Sequence, residues 1–271
     1  MGRAMVRSSS GTIASVAKAL RVMEAVAADP RGVTARSIAD ELGLALPTTY
    51  HLLSTLIDSG YVVHLASEHR YALGYGVRRL DRGLHRQLAV EDDVAAAIRA
   101  LHVEADAAAY YAVFREAGIV IAHIADSERR RRVQQLDVGF DESAHATAFG
   151  KVMLAGMDRD QLHGYLDTAG LAPLTGATIV RRDHLERHLS HVREASVALE
   201  IGELQAGLSC MAAPVRSPGG DIIGSVAISL PSPEFQARRW DIERAVRTGA
   251  GRVTRALRAA HRRTPSATVG T

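Results

Sequence analysis

Thr48, Thr49, Tyr50, His51 and Ser54 gather hydroxyls and one imidazole within two helical turns. Short donors and acceptors on one helix face are what the reading of base-pair edges in a major groove requires. A second set, His145 with Cys210 and an acid, has the residue types of a nucleophilic centre, but no nucleophile motif surrounds it. A third, His184, His188 and His191, lies at a spacing that would turn three imidazoles toward one side, as a metal site needs. The stretch around them is charged, which reads more simply as a solvated helix face. The run Arg129-Arg130-Arg131-Arg132 reads as a solvated loop leading into a strand at Val133–Leu136. Attraction of an anionic ligand by Arg131 or Arg132 is the second reading.

The first set has the clearest scaffold. From Thr34 to Val63 the pattern is two short helices and a tight turn. Ile38, Ala39 and Leu42 recur at helical spacing after Thr34, a residue suited to an N-cap. Gly43 supplies the left-handed conformation that ends a helix. The second helix starts near Leu46, where Pro47 is tolerated because first-turn N–H groups have no intrahelical partner. Leu52, Leu53, Leu56 and Ile57 form its apolar stripe. Tyr61–His64 and Arg70–Leu73 then read as two short strands around a turn at Ser67-Glu68-His69, making a winged helix. Arg70 at the hairpin would reach a phosphate or a minor groove. Arg36 and Ser37, opening the first helix, complete the expected DNA-contacting set.

These residues resemble the IclR-type transcriptional regulators. The likeness begins at Ser15-Val16-Ala17-Lys18-Ala19-Leu20 and continues through Leu42-Gly43-Leu44, Leu52-Leu53 and Gly60-Tyr61-Val62 to Arg70-Tyr71-Ala72-Leu73-Gly74. It extends to His145–Lys151, to Ala198-Leu199-Glu200 with Glu203, and to Gly207–Pro214. The resemblance implies an α+β chain: an N-terminal winged helix-turn-helix joined by a linker helix to a GAF-like effector-binding domain. It implies a double-stranded DNA operator, a small organic acid effector and a homodimer, with a dimer of dimers as a further step. It implies no enzymatic activity and no cofactor. Carried over by position, the effector site would comprise Leu136, Ala148, Phe149, Glu200, Cys210, Ala227 and Ser229. Four positions depart from the family's usual residues. His51 stands where Arg is common, so relatives' operator sequences do not transfer. Glu200 replaces Asp, Ala227 replaces the Ser of some members, and Phe149 is bulkier than usual. An effector with apolar or aromatic surface follows from the last.

The physics of that site is partly legible. A helix starting after Ala146 offers unpaired N–H groups and a positive dipole end to a carboxylate, worth roughly 1 kcal/mol when partly buried. An ionised Glu200 would repel such an anion, so it would accept a hydrogen bond from an effector hydroxyl or hold a proton. An ordinary surface acid at a helix end is the plainer reading of Glu200, and a buried small hydrophobe that of Cys210.

With 271 residues the chain has room for two domains. The formal net charge of +3 is compatible with nucleic acid without establishing it. Aromatics at 4% disfavour single-strand recognition by stacking, and one cysteine excludes an intramolecular disulfide. No secretory leader or membrane-spanning run is apparent, which reads as cytoplasmic. The expected organisation is an arm at 1–14, the winged helix at 15–75, a linker helix at 76–90, the sensor domain at 91–260 and a tail at 261–271. The opening helix, Ser15–Ala28, would turn Val16, Leu20, Met23 and Val26-Ala27 inward. In the sensor domain, helices would lie to one side of a sheet, with a hairpin turn at Glu116-Ala117-Gly118. The alternative is a GAF-like small-molecule-binding or catalytic protein whose N-terminal domain mediates protein contacts.

Overall fold

The computed structural model describes residues 13–115, 118–140 and 143–263. Most of the expected arm and tail, and two residues of the Glu116-Ala117-Gly118 turn, lie outside the described residues. The chain divides into two compact units between Gln87 and Leu88.

The N-terminal unit runs α1 (Ala14–Ala27), α2 (Ala35–Leu42), α3 (Leu46–Asp58), β1 (Val62–Leu65), β2 (Arg70–Leu73) and α4 (Gly76–Gln87). Thr34 Oγ1 accepts the Ser37 N–H at 3.1 Å, which satisfies one of the orphan donors opening α2. Gly43 ends α2 at φ 63°, and Leu44 N–H donates to Ala39 O across the turn. β1 and β2 pair antiparallel, with Val62 opposite Leu73. Val22, Val26, Ile38, Leu53, Leu56, Val62 and Tyr71 close the core. Val16 and Leu20, expected inward, are instead 53% and 56% exposed. Only the second half of α1 reaches the core, so its buried residues are Val22, Ala25 and Val26.

The C-terminal unit begins with α5 (Asp92–Ala105), β3 (Ala108–Arg115) and β4 (Gly118–Ala125). A 3-10 turn at Ala144–Ala146 leads into α6 (Ala148–Ala155), α7 (Arg159–Ala169) and α8 (Arg182–Ala195). β5 (Ala198–Ile201), β6 (Leu208–Arg216), β7 (Ile222–Pro231), α9 (Ser232–Ala237) and α10 (Arg239–Arg263) complete it. The sheet order is β4-β3-β7-β6-β5, and each neighbouring pair is antiparallel.

Both faces of this sheet are covered, which corrects the expectation of helices to one side. Side chains alternate along each strand. Tyr110, Ala112, Cys210, Ala212 and Ala227 pack with α6, α7 and α8. Tyr111, Met211, Ala213, Val226 and Ile228 pack with α5, α9 and α10. A second correction concerns Val133–Leu136, which is a turn closed by Leu136 N–H to Val133 O rather than a strand. The edge of β4 is met instead by Gly139 and Phe140. Ile121 N–H donates to Phe140 O at 3.0 Å and Ile121 O accepts from Gly139 N–H at 2.8 Å.

The arginine run is not wholly solvated. Arg130 reaches Asp106 at 2.7 Å and Glu234 at 2.8 and 2.9 Å. It thereby ties the C-terminus of α5 to α9. Hydrogen bonds first to Asp106 and then to Glu234 hold its guanidinium further in the charged form. Arg131 and Arg132 remain exposed.

Two glycines give opposite expectations. A Cβ on Gly150 in α6 would stand 2.2 Å from Ala144 O, whereas one on Gly83 in α4 would meet nothing within 4 Å. Gly150→Ala should destabilise by roughly 1–3 kcal/mol or more through overpacking. Gly83→Ala should be neutral or stabilise by up to about 1 kcal/mol. Urea unfolding of the two variants beside the wild type checks both signs.

Candidate functional site

Helix α3 turns one face to solvent. Pro47, Tyr50, His51, Ser54, Thr55 and Asp58 are exposed, whereas Thr49, Leu53 and Leu56 are buried. Spacings of three and four make this a single stripe of the helix. The stripe carries a phenol, an imidazole and two hydroxyls, a set able to meet base edges. Thr55 was not singled out from sequence. Its Oγ1 donates to His51 O at 3.0 Å, one turn back, so its position beside His51 is fixed. Thr48 is half-buried at the edge of the face, and Arg36 and Ser37 on α2 are exposed.

Two expected DNA-contacting residues are placed otherwise. Thr49 is fully buried and its hydroxyl donates to Ala45 O at 3.3 Å. It sits about 100° around the helix from Thr48, which is enough to cross from the rim into the core. Arg70 is half-buried, and its guanidinium donates to Gly32 O at 2.6 Å. That bond fastens the hairpin to the loop before α2, where β2 also meets Val33 through Tyr71. Arg70 is therefore a brace and not a free wing-tip cation. His64 stacks on Tyr71 with ring centroids 4.8 Å apart.

In the other unit, the seven expected effector residues converge on one face of the sheet. Strand register sets Ala108, Ser229, Cys210 and Glu200 in one row across β3, β7, β6 and β5. The next row on that face is Tyr110, Ala227, Ala212 and Ala198. Ala148 and Phe149 from α6, and Leu136, belong to the same buried cluster. The floor is mostly small residues, which is what leaves space between sheet and helix. Glu200, readable from sequence as a surface acid at a helix end, lies in β5 with no exposed surface.

The polar groups here form a network that sequence reading largely missed. Glu200 Oε1 accepts the N–H of Glu203 at 2.6 Å and of Leu204 at 3.2 Å. Lys151, one turn into α6 and fully buried, bonds the Glu203 carboxylate and donates to Leu199 O at 3.3 Å. Thr178 Oγ1 donates to Glu203 O at 2.7 Å, and Thr175 Oγ1 to Gly202 O at 2.6 Å. Ser229 Oγ is 3.0 Å from Tyr110 OH, which also accepts Val133 N–H at 3.1 Å. Lys151 and Glu203 stand inside the sequence blocks that carried the family likeness. Their chemistry gave no separate signal, because a lysine in a helix and a glutamate in a loop read as solvent-facing.

Burial governs the protonation of these groups. It pulls Lys151 down from the usual lysine value, against the upward pull of Glu203. It raises Glu200, opposed by hydrogen bonds from Cys210 and the two backbone amides. It raises the Cys210 thiol well above its ordinary value, with the Glu200 charge adding to the effect, so no thiolate nucleophile forms. Burial lowers His145, whose Nε2 lies 3.1 Å from Ala172 O. Tyr110 is pushed up to about 12, mainly by burial. His184 and His191 are exposed while His188 is half-buried, and among the described residues no His, Cys, Asp or Glu group converges as metal ligands would.

Among the described residues no helix is long and apolar enough to cross a membrane. A cleft of about 260 Å³ elsewhere in this unit contains Arg193 and Arg216. Their donors go to Ala155 O, to Gly220 O and to Ser196 Oγ, so they serve helix ends and a turn.

Two family models match the chain. One, described as the IclR helix-turn-helix domain, covers residues 15–66. The other, described as the bacterial transcriptional regulator IclR C-terminal region, covers residues 86–255. The chain is 30% identical to the glycerol operon regulatory protein of Streptomyces griseus, over 90% of this chain and 96% of that one. The fold is similar to a transcriptional regulator from Rhodococcus sp. RHA1, with TM-score 0.71 and 25% identity over 92% of this chain and all of that one. It is also similar to an IclR homologue from Microbacterium hydrocarbonoxydans complexed with 4-hydroxybenzoate. There the TM-score is 0.66 and the identity 19%, over 90% and 99% of the two chains.

Burial holds the His188 pKa down at about 4, with the Lys151 charge adding to the depression. An unfolded histidine takes up its proton near 6.5, so between these values the unfolded state binds more protons. Stability should therefore fall as pH drops from about 6.5 toward 4, with His145 acting in the same direction. His188→Asn should lessen the drop in urea midpoint between neutral and mildly acid buffer. An unchanged slope in that variant would remove His188 from the account.

Proposed function

Because this chain belongs to the IclR family of bacterial transcriptional regulators, we propose that it binds one operator sequence and releases or holds it according to a small organic acid. DNA binding and transcription regulation come with the family, which is one of regulators and not of enzymes. The operator, the effector and the assembly are the finer reading.

The observation that carries the DNA reading is the solvent-facing stripe of α3, with Tyr50, His51, Ser54 and Thr55 outward and Leu53 and Leu56 inward. Base choice rests on His51 and its neighbours, and the exposed Arg36 and Ser37 contribute backbone contacts. The residues 15–75 act as the DNA-reading domain, 76–90 as the linker and 91–260 as the sensor. A homodimer fits the outward apolar stripe of α1, where Ile13, Val16 and Leu20 recur at helical spacing, and Leu80 and Leu84 on α4. Two readers in such a dimer would engage half-sites about one helical turn (~34 Å) apart or a multiple of it.

The effector reading rests on the buried cluster of Ala148, Phe149, Glu200, Cys210, Ala227 and Ser229 around the start of α6. The N–H groups of Ala148 and Phe149, in the first helical turn, have no intrahelical partner and suit a carboxylate. The aromatic ring of Phe149 and the alanine floor suit an apolar body. The relative complexed with 4-hydroxybenzoate supports an aromatic acid as the first compound to try. Effector binding must favour one of two arrangements of the chain, or it shifts nothing.

Fluorescence anisotropy with the DNA upstream of the protein's own gene, against a scrambled duplex at fixed salt, tests the reading. Selective binding of the upstream duplex is expected, and equal affinity for both would overturn it. His51→Ala or Ser54→Ala should weaken operator binding by about tenfold, the usual worth of a base-edge contact. Thr49→Val should leave operator affinity within roughly twofold while lowering stability, since its hydroxyl serves the helix and not DNA.

A further inference from the structure

We infer that the effector presents a neutral hydrogen-bond donor, a hydroxyl, to the Glu200–Glu203 pair, so that the compound recognised is a hydroxy acid and not a plain one. The inference rests on the reading of this cluster as the effector site and specifies the ligand's other end.

Two buried oxygens carry it. Glu200 Oε2 and Glu203 Oε2 each lie out of contact with solvent, without a hydrogen-bond partner among the described residues. Buried carboxylate oxygens are ordinarily paired, and an unpaired one is costly. The donors nearby are already committed. Lys151 serves Glu203 Oε1 and Leu199 O, Thr178 serves Glu203 O, and the Glu203 and Leu204 amides serve Glu200 Oε1. His145 Nε2 is engaged with Ala172 O, and Tyr110 with Ser229 and Val133. The remaining neighbour is the Cys210 thiol, a weak donor.

Charge then selects among donors. A second carboxylate placed against Glu200 and Glu203 would meet like charge. An ammonium would meet Lys151, which already occupies the other Glu203 oxygen. A hydroxyl donates without adding charge and satisfies one orphan oxygen directly. The effector's own carboxylate belongs at the other end, at the first turn of α6. A compound with a carboxylate and a hydroxyl at opposite ends of an apolar body meets all three conditions.

Isothermal titration of the full-length protein with matched pairs, 4-hydroxybenzoate against benzoate and 3-hydroxypropanoate against propanoate, tests this. In at least one pair the hydroxylated acid should bind about tenfold tighter or more, as a hydrogen bond to a charged acceptor warrants. Glu200→Gln and Glu203→Gln each keep one carbonyl acceptor and exchange the other oxygen for a donor. At least one of them should erase the preference while leaving affinity for the plain acid in place. Equal binding of both members, unchanged in the glutamine variants, would mean that water serves these oxygens, and the hydroxyl inference would fall with the site intact. Binding indifferent to Ala227→Leu, which fills the floor, would place the site elsewhere and sink the underlying reading. Failure of every acid to bind would overturn both.

Discussion

A fully buried ammonium organises the sensor unit. Taking Lys151 out of water is tolerable only because a carboxylate and a carbonyl receive it, and each receiver fixes a different piece of chain. Glu203 belongs to the loop between β5 and β6, and that loop is further held by Thr175, Thr178 and the Glu200 carboxylate. Leu199 belongs to β5 itself. The helix that carries Lys151 is in turn pressed so tightly on the turn before it that only glycine fits at position 150. Helix, sheet edge and loop therefore move together or not at all. A ligand that redistributes hydrogen bonds in this cluster acts on all three, which is the kind of coupling a chemical switch needs.

Much of the DNA-reading unit was legible because its signals are local. Thr34, Gly43 and Pro47 mark helix ends by chemistry that depends on little beyond neighbouring residues. What failed there was angular resolution. Thr48 and Thr49 are adjacent and chemically identical in sequence, yet one lies at the rim and the other in the core. Arg70 failed for a different reason, since its partner, Gly32 O, lies 38 residues earlier. In α1 the apolar positions Val16 and Leu20 looked like core, because periodicity reports a face without saying what it faces.

The sensor unit was harder to read. Its sheet residues are buried on both sides, so the strands lack the polar alternation that would have announced two covered faces. β5 is only four residues long and follows α8 closely, which hid it. Glu200 accordingly passed for a surface acid until strand register set it beside Cys210 and Ser229. Val133–Leu136 had the composition of a strand but is consumed by a turn that delivers Leu136 to the core. The resemblance to a family brought the right side chains together, and the physical reason for their company appeared only with the topology.

The two rims of the five-stranded sheet are already spoken for. Ile121 on β4 has both its main-chain groups engaged by Gly139 and Phe140, and the short outer strand β5 has its Leu199 carbonyl taken by Lys151. A neighbouring polypeptide looking for a ladder to extend finds the central rungs occupied on either side. Self-association that grows by strand-to-strand templating, the usual road to fibrils, is thereby blocked at its first step. Copies of this chain must recognise one another through helical side chains, which permits a closed assembly of fixed size in place of an open-ended one.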